Sequence, residues 1–150
     1  MGETNLDESG STSDYELALR HFNVGNMKLD GGSPIEAATE YQSAIELWEH
    51  DARFYNNLGI AYRQRGELGG AEKNLRKALE LDAKYRDAYS NLGLTLLDLE
   101  LYEEAVVNFT VALSIDPNFW YAYNGRGLAY WALGKREEAL SDYERLKNLR

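Results

Sequence analysis

Apolar residues recur at three- and four-residue spacings along most of the chain, and short polar turns separate the apolar segments. Tyr89, Leu92 and Leu96, for example, fall on one face of a helix. After a break of a few residues, a second such face runs from Tyr102 to Leu113. Neither segment can bury its apolar stripe alone. The pattern therefore predicts helical hairpins that pack against neighbouring hairpins.

The same pattern returns every 34 residues, without an insertion, across the whole chain after the first few residues. Three kinds of position keep this step: a glycine in each first helix, and an alanine and a bulky side chain in each second helix. They are Gly25, Gly59, Gly93 and Gly127; Ala37, Ala71, Ala105 and Ala139; and Tyr41, Leu75, Phe109 and Tyr143. Small residues allow two helices to approach closely, so we expect the bulky position to fill the space beside each glycine.

Two sequence signals mark the expected starts of helices. Ser13 is followed by Glu16, a capping box that opens the first helix. Ser33 and Glu36 form a second box of the same kind, and Pro34 stands in the first helical position, where its missing N–H costs nothing.

Glycines at 66 and 134 punctuate equivalent turns, which helps to set the limits of the units. We expect a disordered acidic tail over residues 1–13 and one repeat domain over residues 14–150. The four hairpins, units 1 to 4, are expected at about residues 18–51, 52–85, 86–119 and 120–150.

The repeated motif resembles the tetratricopeptide repeat (TPR). Residues 89–96 read Tyr-x-x-Leu-Gly-x-x-Leu, and residues 105–112 read Ala-x-x-x-Phe-x-x-Ala, within a 34-residue period. The resemblance implies an all-α fold: an α-solenoid of four antiparallel helical hairpins in a right-handed superhelix. It also implies that the first helix of each unit lines a concave groove, and that this groove binds a peptide or a segment of a partner protein.

The resemblance further implies which side chains face the groove. They are Asn23, Asn26, Arg53, Asn56, Asn57, Ile60, Arg63, Asn91, Leu94, Leu97, Asn124, Leu128 and Trp131. Leu94, Leu97, Leu128 and Trp131 could form a hydrophobic floor for a partner side chain, or pack among themselves. Arg53 and Asp87, and likewise Arg63 and Asp98, are expected to face each other across adjacent first helices.

Asn23, Asn57 and Asn91 keep the 34-residue step and form an amide column. An amide can both donate and accept hydrogen bonds, so the column could pair with an extended peptide backbone. It could equally bridge neighbouring helices. The sequence leaves both interpretations open.

Some members of the TPR family, which this chain resembles, bind acidic chaperone C-termini through a clamp of two lysines, two asparagines and one arginine. Asn26 and Asn57 match the asparagines. Phe22, Asp87 and Asn91 occupy the columns of the three cations. Desolvating a carboxylate without those cations would be costly, which argues against an acidic chaperone tail as the partner.

Composition narrows the function further. The formal net charge of −9 argues against nucleic acid as a partner. The sequence has no run of 18 apolar residues, so we expect no membrane insertion. With no signal peptide at the N-terminus, we expect a cytoplasmic protein. There is no cysteine and there are only two histidines, and no catalytic motif is present, so we expect no metal, no cofactor and no enzyme activity.

Charge is also separated along the chain. Seven cations lie between positions 63 and 86, whereas residues 87–125 contain six acids and no cation. The acidic block is either a solvated surface or a field that steers a partner.

An alternative function is assembly rather than peptide binding. Leu140, Tyr143 and Leu149 belong to the stripe on which a further hairpin would dock. We therefore also expect self-association through residues 135–149, as a homodimer, or stacking on further repeats of the same protein.

Overall fold

The computed structural model describes residues 13–149, which form eight α-helices and contain no strand. The helices are α1 (Asp14–Asp30), α2 (Pro34–Leu47), α3 (Ala52–Gln64), α4 (Leu68–Leu81), α5 (Arg86–Asp98), α6 (Tyr102–Ile115), α7 (Trp120–Ala132) and α8 (Arg136–Asn148). The predicted all-α hairpin fold is confirmed. The tail predicted to be disordered lies outside the described residues, except Ser13, which caps α1.

The helices pair in sequence order, and the hairpins stack so that one set of helices lies inside the curve. The first helices (α1, α3, α5, α7) contact one another in sequence order, α1 with α3, α3 with α5 and α5 with α7. Within residues 13–149, the second helices (α2, α4, α6, α8) make no such contacts with one another. First helices are therefore closer together than second helices, which gives the array a concave wall of first helices.

Glycines and bulky side chains lock each hairpin together as the sequence pattern predicts. A Cβ added at Gly93 would lie 2.8 Å from the Phe109 ring. Gly125, in the next first helix, also packs directly on Phe109, and a Cβ there would overlap the ring. Phe109 is fully buried, so one ring joins α5, α6 and α7.

One of the two predicted capping boxes forms. The Ser13 hydroxyl accepts a hydrogen bond from the backbone N–H of Glu16, and the Glu16 carboxylate accepts one from the backbone N–H of Ser13. The prediction of a second box was wrong, because the Ser33 side chain makes no cap bond at the start of α2. Glu36 turns instead to Lys28 of α1, with 2.6 Å between the charged atoms. Proline does occupy the start of α2.

The turns inside the hairpins require a left-handed backbone. Gly32, Gly66 and Gly134 have φ of 76°, 76° and 74°. Glu100 takes the equivalent position in the third hairpin, with φ of 61°. A side chain in this conformation costs about 1–2 kcal/mol relative to the right-handed region, so this turn carries local strain.

None of the helices in the described residues is long and apolar enough to cross a membrane.

Candidate functional site

The concave wall contains a cavity of about 430 Å³ between α3, α5 and α7. Its lining combines side-chain amides, aliphatic side chains and aromatic rings from three first helices and the turns before them. The lining residues are Asn56, Asn57, Ile60, Tyr85, Arg86, Asp87, Ser90, Asn91, Leu94, Phe119 and Tyr121.

Five of the thirteen groove residues expected from the sequence line this cavity: Asn56, Asn57, Ile60, Asn91 and Leu94. Asn26 lies behind it and is hydrogen-bonded to its wall. The other seven do not line the cavity: Asn23, Arg53, Arg63, Leu97, Asn124, Leu128 and Trp131. The groove residues expected from the sequence therefore extend over a longer part of the wall than the cavity does.

A continuous chain of side-chain hydrogen bonds runs behind the cavity. Asn91 Nδ2 donates to Asn56 Oδ1 over 3.0 Å, and Asn56 Nδ2 donates to Asn57 Oδ1 over 2.9 Å. Asn57 Nδ2 then donates to Asn26 Oδ1 over 2.8 Å, where the Tyr41 hydroxyl also donates over 2.8 Å. The chain joins α1, α3 and α5, and both of its bonds between helices donate toward unit 1.

For part of the amide column, these bonds favour the bridging of neighbouring helices over pairing with a peptide backbone. Asn57 and Asn91 both bridge first helices, whereas Asn23 is exposed and makes no side-chain hydrogen bond to another described residue. The column ends at Gly125, where the Phe109 ring occupies the space of a side chain. Asn91 keeps one atom for a ligand, because its Oδ1 accepts no hydrogen bond from residues 13–149.

Arg86 forms the polar corner of the cavity, at the start of α5. Its Nε donates to Asp87 Oδ1 over 2.8 Å, and its Nη1 donates to Asp116 Oδ2 over 2.7 Å. The guanidinium also lies over the Phe119 ring, 4.0 Å from the centroid. The hydrogen bond that Arg86 donates to Asp87 is the main reason that the pKa of Arg86 is raised. Two carboxylates therefore hold one cation.

The aromatic rings at this corner come from the turns, and sequence reasoning missed Tyr85, Arg86 and Phe119. Tyr85 and Phe119 are one 34-residue step apart, so the period does carry the signal. Tyr85 is partly buried, and burial raises the pKa of its hydroxyl to about 12. It is neutral at physiological pH, and it lines the cavity.

One of the two predicted ion pairs across the wall forms. Arg63 of α3 binds Asp98 of α5 at 2.6 Å. The expected pairing of Arg53 with Asp87 is wrong. Arg53 instead binds Asp51, the N-cap of its own helix, at 2.6 Å, because that carboxylate is fixed beside it by the cap. Asp87 pairs with its sequence neighbour Arg86.

Comparisons with known proteins agree with this architecture. A family profile described as TPR repeat matches residues 60–100 and 96–134, and one described as tetratricopeptide repeat matches residues 121–150. The chain belongs to the tetratricopeptide repeat family. A search of curated proteins gave no match.

Several solved structures resemble the chain closely. A crystal structure of MamA is 29% identical, with a TM-score of 0.82 over 88% of this chain and 77% of that one. The first TPR of Spaghetti, bound to the HSP90 peptide SRMEEVD, is 26% identical, with a TM-score of 0.79 over 81% of this chain and 97% of that one. The Arabidopsis OM64 TPR domain is 26% identical, with a TM-score of 0.76 over 78% and 97%.

The last TPR unit has a different inner face from the others. Tyr121, Leu128 and Trp131 of α7 are 52%, 49% and 55% exposed. Tyr121 reaches the cavity and stacks on Trp120, with 3.6 Å between ring centroids. Because Trp131 does not line the cavity, the cavity and the hydrophobic floor expected from the sequence do not form one continuous surface.

A buried ion pair joins α7 to α8 in this unit. Arg126 donates to both carboxylate oxygens of Asp142, over 2.8 and 2.7 Å, and also to the Thr110 hydroxyl over 3.1 Å. The Asp142 hydrogen bond raises the pKa of Arg126, so the guanidinium stays charged. The Asp142 side chain is only 6% exposed. Arg126 stands where units 2 and 3 carry leucine, and the pair stabilises the hairpin in place of apolar packing.

The residues expected to mediate self-association differ in exposure. Leu140 is 59% exposed, whereas Tyr143 and Leu149 are half-buried. The Tyr143 ring packs on Gly127, at 2.7 Å from the position of a Cβ. Lys147 stands where the other second helices carry Ile45, Leu79 and Leu113. This face of α8 is therefore more polar than the equivalent face of the other second helices.

No group of three or more histidine, cysteine, aspartate or glutamate side chains in residues 13–149 is placed to hold a metal ion.

Proposed function

We propose that this TPR chain is a non-catalytic scaffold that binds an extended peptide or partner segment in the cavity between α3, α5 and α7. The observation that carries the proposal is the composition of that cavity. Ile60 and Leu94 offer an apolar wall, and Asn91 Oδ1 offers a hydrogen-bond acceptor beside it. A few polar groups set among apolar side chains are typical of ligand sites.

The related Spaghetti domain, which binds an HSP90 peptide, supports a peptide as the kind of ligand. The cavity argues against an acidic peptide of that type here. Its one cation, Arg86, is already paired with two carboxylates, and Asp87 stands where a clamp lysine would be. A terminal carboxylate would lose its hydration without gaining an unpaired cation.

Retention of short peptides tests the proposal. The immobilised chain is incubated with a random library of peptides whose ends are blocked, and the retained fraction is measured by mass spectrometry. Tyr121→Ala removes an exposed ring from the cavity edge and should weaken retention about fivefold or more. Trp131→Ala removes an equally exposed ring from the same helix, outside the cavity, and should change retention by less than about twofold. Loss of retention in the second variant but not the first would remove the cavity as the binding site.

Self-association is a second candidate function, and the exposure of Leu140 favours it. The chain should then form dimers in a concentration-dependent manner, and Leu140→Glu should return it to monomers in light scattering. A strict monomer at high concentration in the unaltered chain would remove this function. The cytoplasmic location expected from the sequence stays a prediction.

A further inference from the structure

The amide chain has a direction, and this direction determines what the cavity offers a ligand. Both bonds between helices donate toward α1, so the carbonyl oxygen at the cavity end of the chain is the one that lies without a donor. At the cavity end, Asn91 Nδ2 donates one of its two hydrogens to Asn56, and its Oδ1 accepts nothing from residues 13–149. The wall therefore presents a hydrogen-bond acceptor at this point.

A carboxylate lies one helical turn away on the same helix. Asp87 and Asn91 are four residues apart on α5, so their side chains share a face. Asp87 Oδ1 takes both contacts from Arg86, and Asp87 Oδ2 accepts no hydrogen bond from the described residues. Two acceptor oxygens, one of them charged, are thus available along one edge of the cavity.

The charges around these acceptors sum to a negative value. Arg86 carries one positive charge, and Asp87 and Asp116, which both bind it, carry two negative charges. Arg53, a cation of α3, is bound by Asp51. A negative, acceptor-rich edge is complementary to a donor that carries positive charge.

The apolar wall completes the fit. Ile60 and Leu94 line the same cavity as Asp87 and Asn91. Lysine and arginine side chains have a methylene stem that packs on apolar surface while the charged end remains hydrogen-bonded. The cavity offers both surfaces to one side chain.

We infer that the cavity binds a lysine or arginine side chain of the partner, with the stem on Ile60 and Leu94 and the cationic end on Asp87 Oδ2 and Asn91 Oδ1. The inference rests on the proposed function and names its partner class: an extended segment with a basic residue. The six acids without a cation in residues 87–125 would attract such a segment at longer range.

The composition of the retained peptides tests the inference. We expect the unaltered chain to enrich lysine and arginine at least about threefold over the input library, and to deplete aspartate and glutamate. The Asp87→Asn variant should lose the basic enrichment while it still retains peptides with apolar residues. For a single purified basic peptide, fluorescence polarisation should show about tenfold weaker binding to this variant at low salt.

Glu103→Gln is the matched control, because it removes one exposed acid from α6, on the opposite side of the hairpin from the cavity. It should leave the basic enrichment unchanged, and thermal unfolding should show that both variants are folded. Retention of peptides with no basic enrichment, or equal enrichment by Asp87→Asn, overturns this inference and leaves the proposed function standing. If the unaltered chain retains no peptide, both the inference and the proposed function are overturned.

Discussion

The inner wall of units 1 to 3 and the last hairpin use polar side chains in different ways. In the first three units, asparagines join one first helix to the next, and the chain of bonds ends at the cavity. In unit 4, Arg126 and Asp142 join the two helices of one hairpin. The difference depends on whether the next first helix covers these side chains. Asn56 is 3% exposed, because α5 lies over it, whereas Asn124, in the same column, is exposed because no later first helix covers it within the described residues.

Breaking the ion pair between Arg126 and Asp142 in the last hairpin should have the largest effect on stability. Arg126→Leu leaves the Asp142 carboxylate buried and unpaired, and we expect a loss of about 3 kcal/mol in the free energy of unfolding. The double variant Arg126→Leu with Asp142→Asn restores the residues that units 2 and 3 carry, and it should fall within about 1 kcal/mol of the unaltered chain. Urea unfolding measures both. Equal losses in the single and double variants would show that the pair is not what holds unit 4.

A methyl group between units 3 and 4 should have the next largest effect. Gly125→Ala forces the Phe109 ring away from α7, and overpacking of this kind costs about 2 kcal/mol. Gly69→Ala is the matched control, since nothing lies within 4 Å of the added Cβ, and it should cause no loss. Thermal unfolding compares them. Equal midpoints would contradict the close packing of Phe109.

Interrupting the amide chain tests the other side of the comparison. Asn56→Ala leaves Asn91 Nδ2 and Asn57 Oδ1 without their partners, which should cost about 1–2 kcal/mol. Asn124→Ala, in the same column of unit 4, should stay within about 0.5 kcal/mol of the unaltered chain. Hydrogen exchange should show faster exchange in α3 and α5 for the first variant only. Similar behaviour of the two variants would mean that coverage does not distinguish the regions.

The smallest effect concerns the turn of unit 3, which lacks the glycine of the other turns. Glu100→Gly removes a side chain from a backbone with φ of 61° and should stabilise the chain by about 0.5–1 kcal/mol. The gain is smaller than the strain because glycine also makes the unfolded chain more flexible. A lower unfolding midpoint would contradict a strained turn.

The 34-residue period was enough to predict the hairpins, since it fixes which residues share a face. It also contained one contact that sequence reasoning missed, and the separation of the predicted contacts shows how it could have been found. Gly25 and Tyr41 pack sixteen positions apart, as do Gly93 and Phe109. Arg126 and Asp142 have the same separation, so the hairpin register could have identified that pair.

Other features of the site could not be read from the period. The direction of the amide chain depends on which neighbour each asparagine reaches across the wall, and a column of asparagines does not specify that. The partner of Arg53 depends on the cap of its own helix, where Asp51 stands two residues before it in the sequence. Local geometry of this kind decides pairings that repeat columns leave open.

Amide chemical-shift mapping with the peptide most strongly retained by the chain would locate the binding site most directly. The account predicts that the largest shifts fall on Asn57, Asn91 and Leu94, with smaller shifts along α7 and none on α8. Largest shifts on α8, or on the second helices of the convex side, would contradict the central claim that the cavity of the inner wall is where the partner binds.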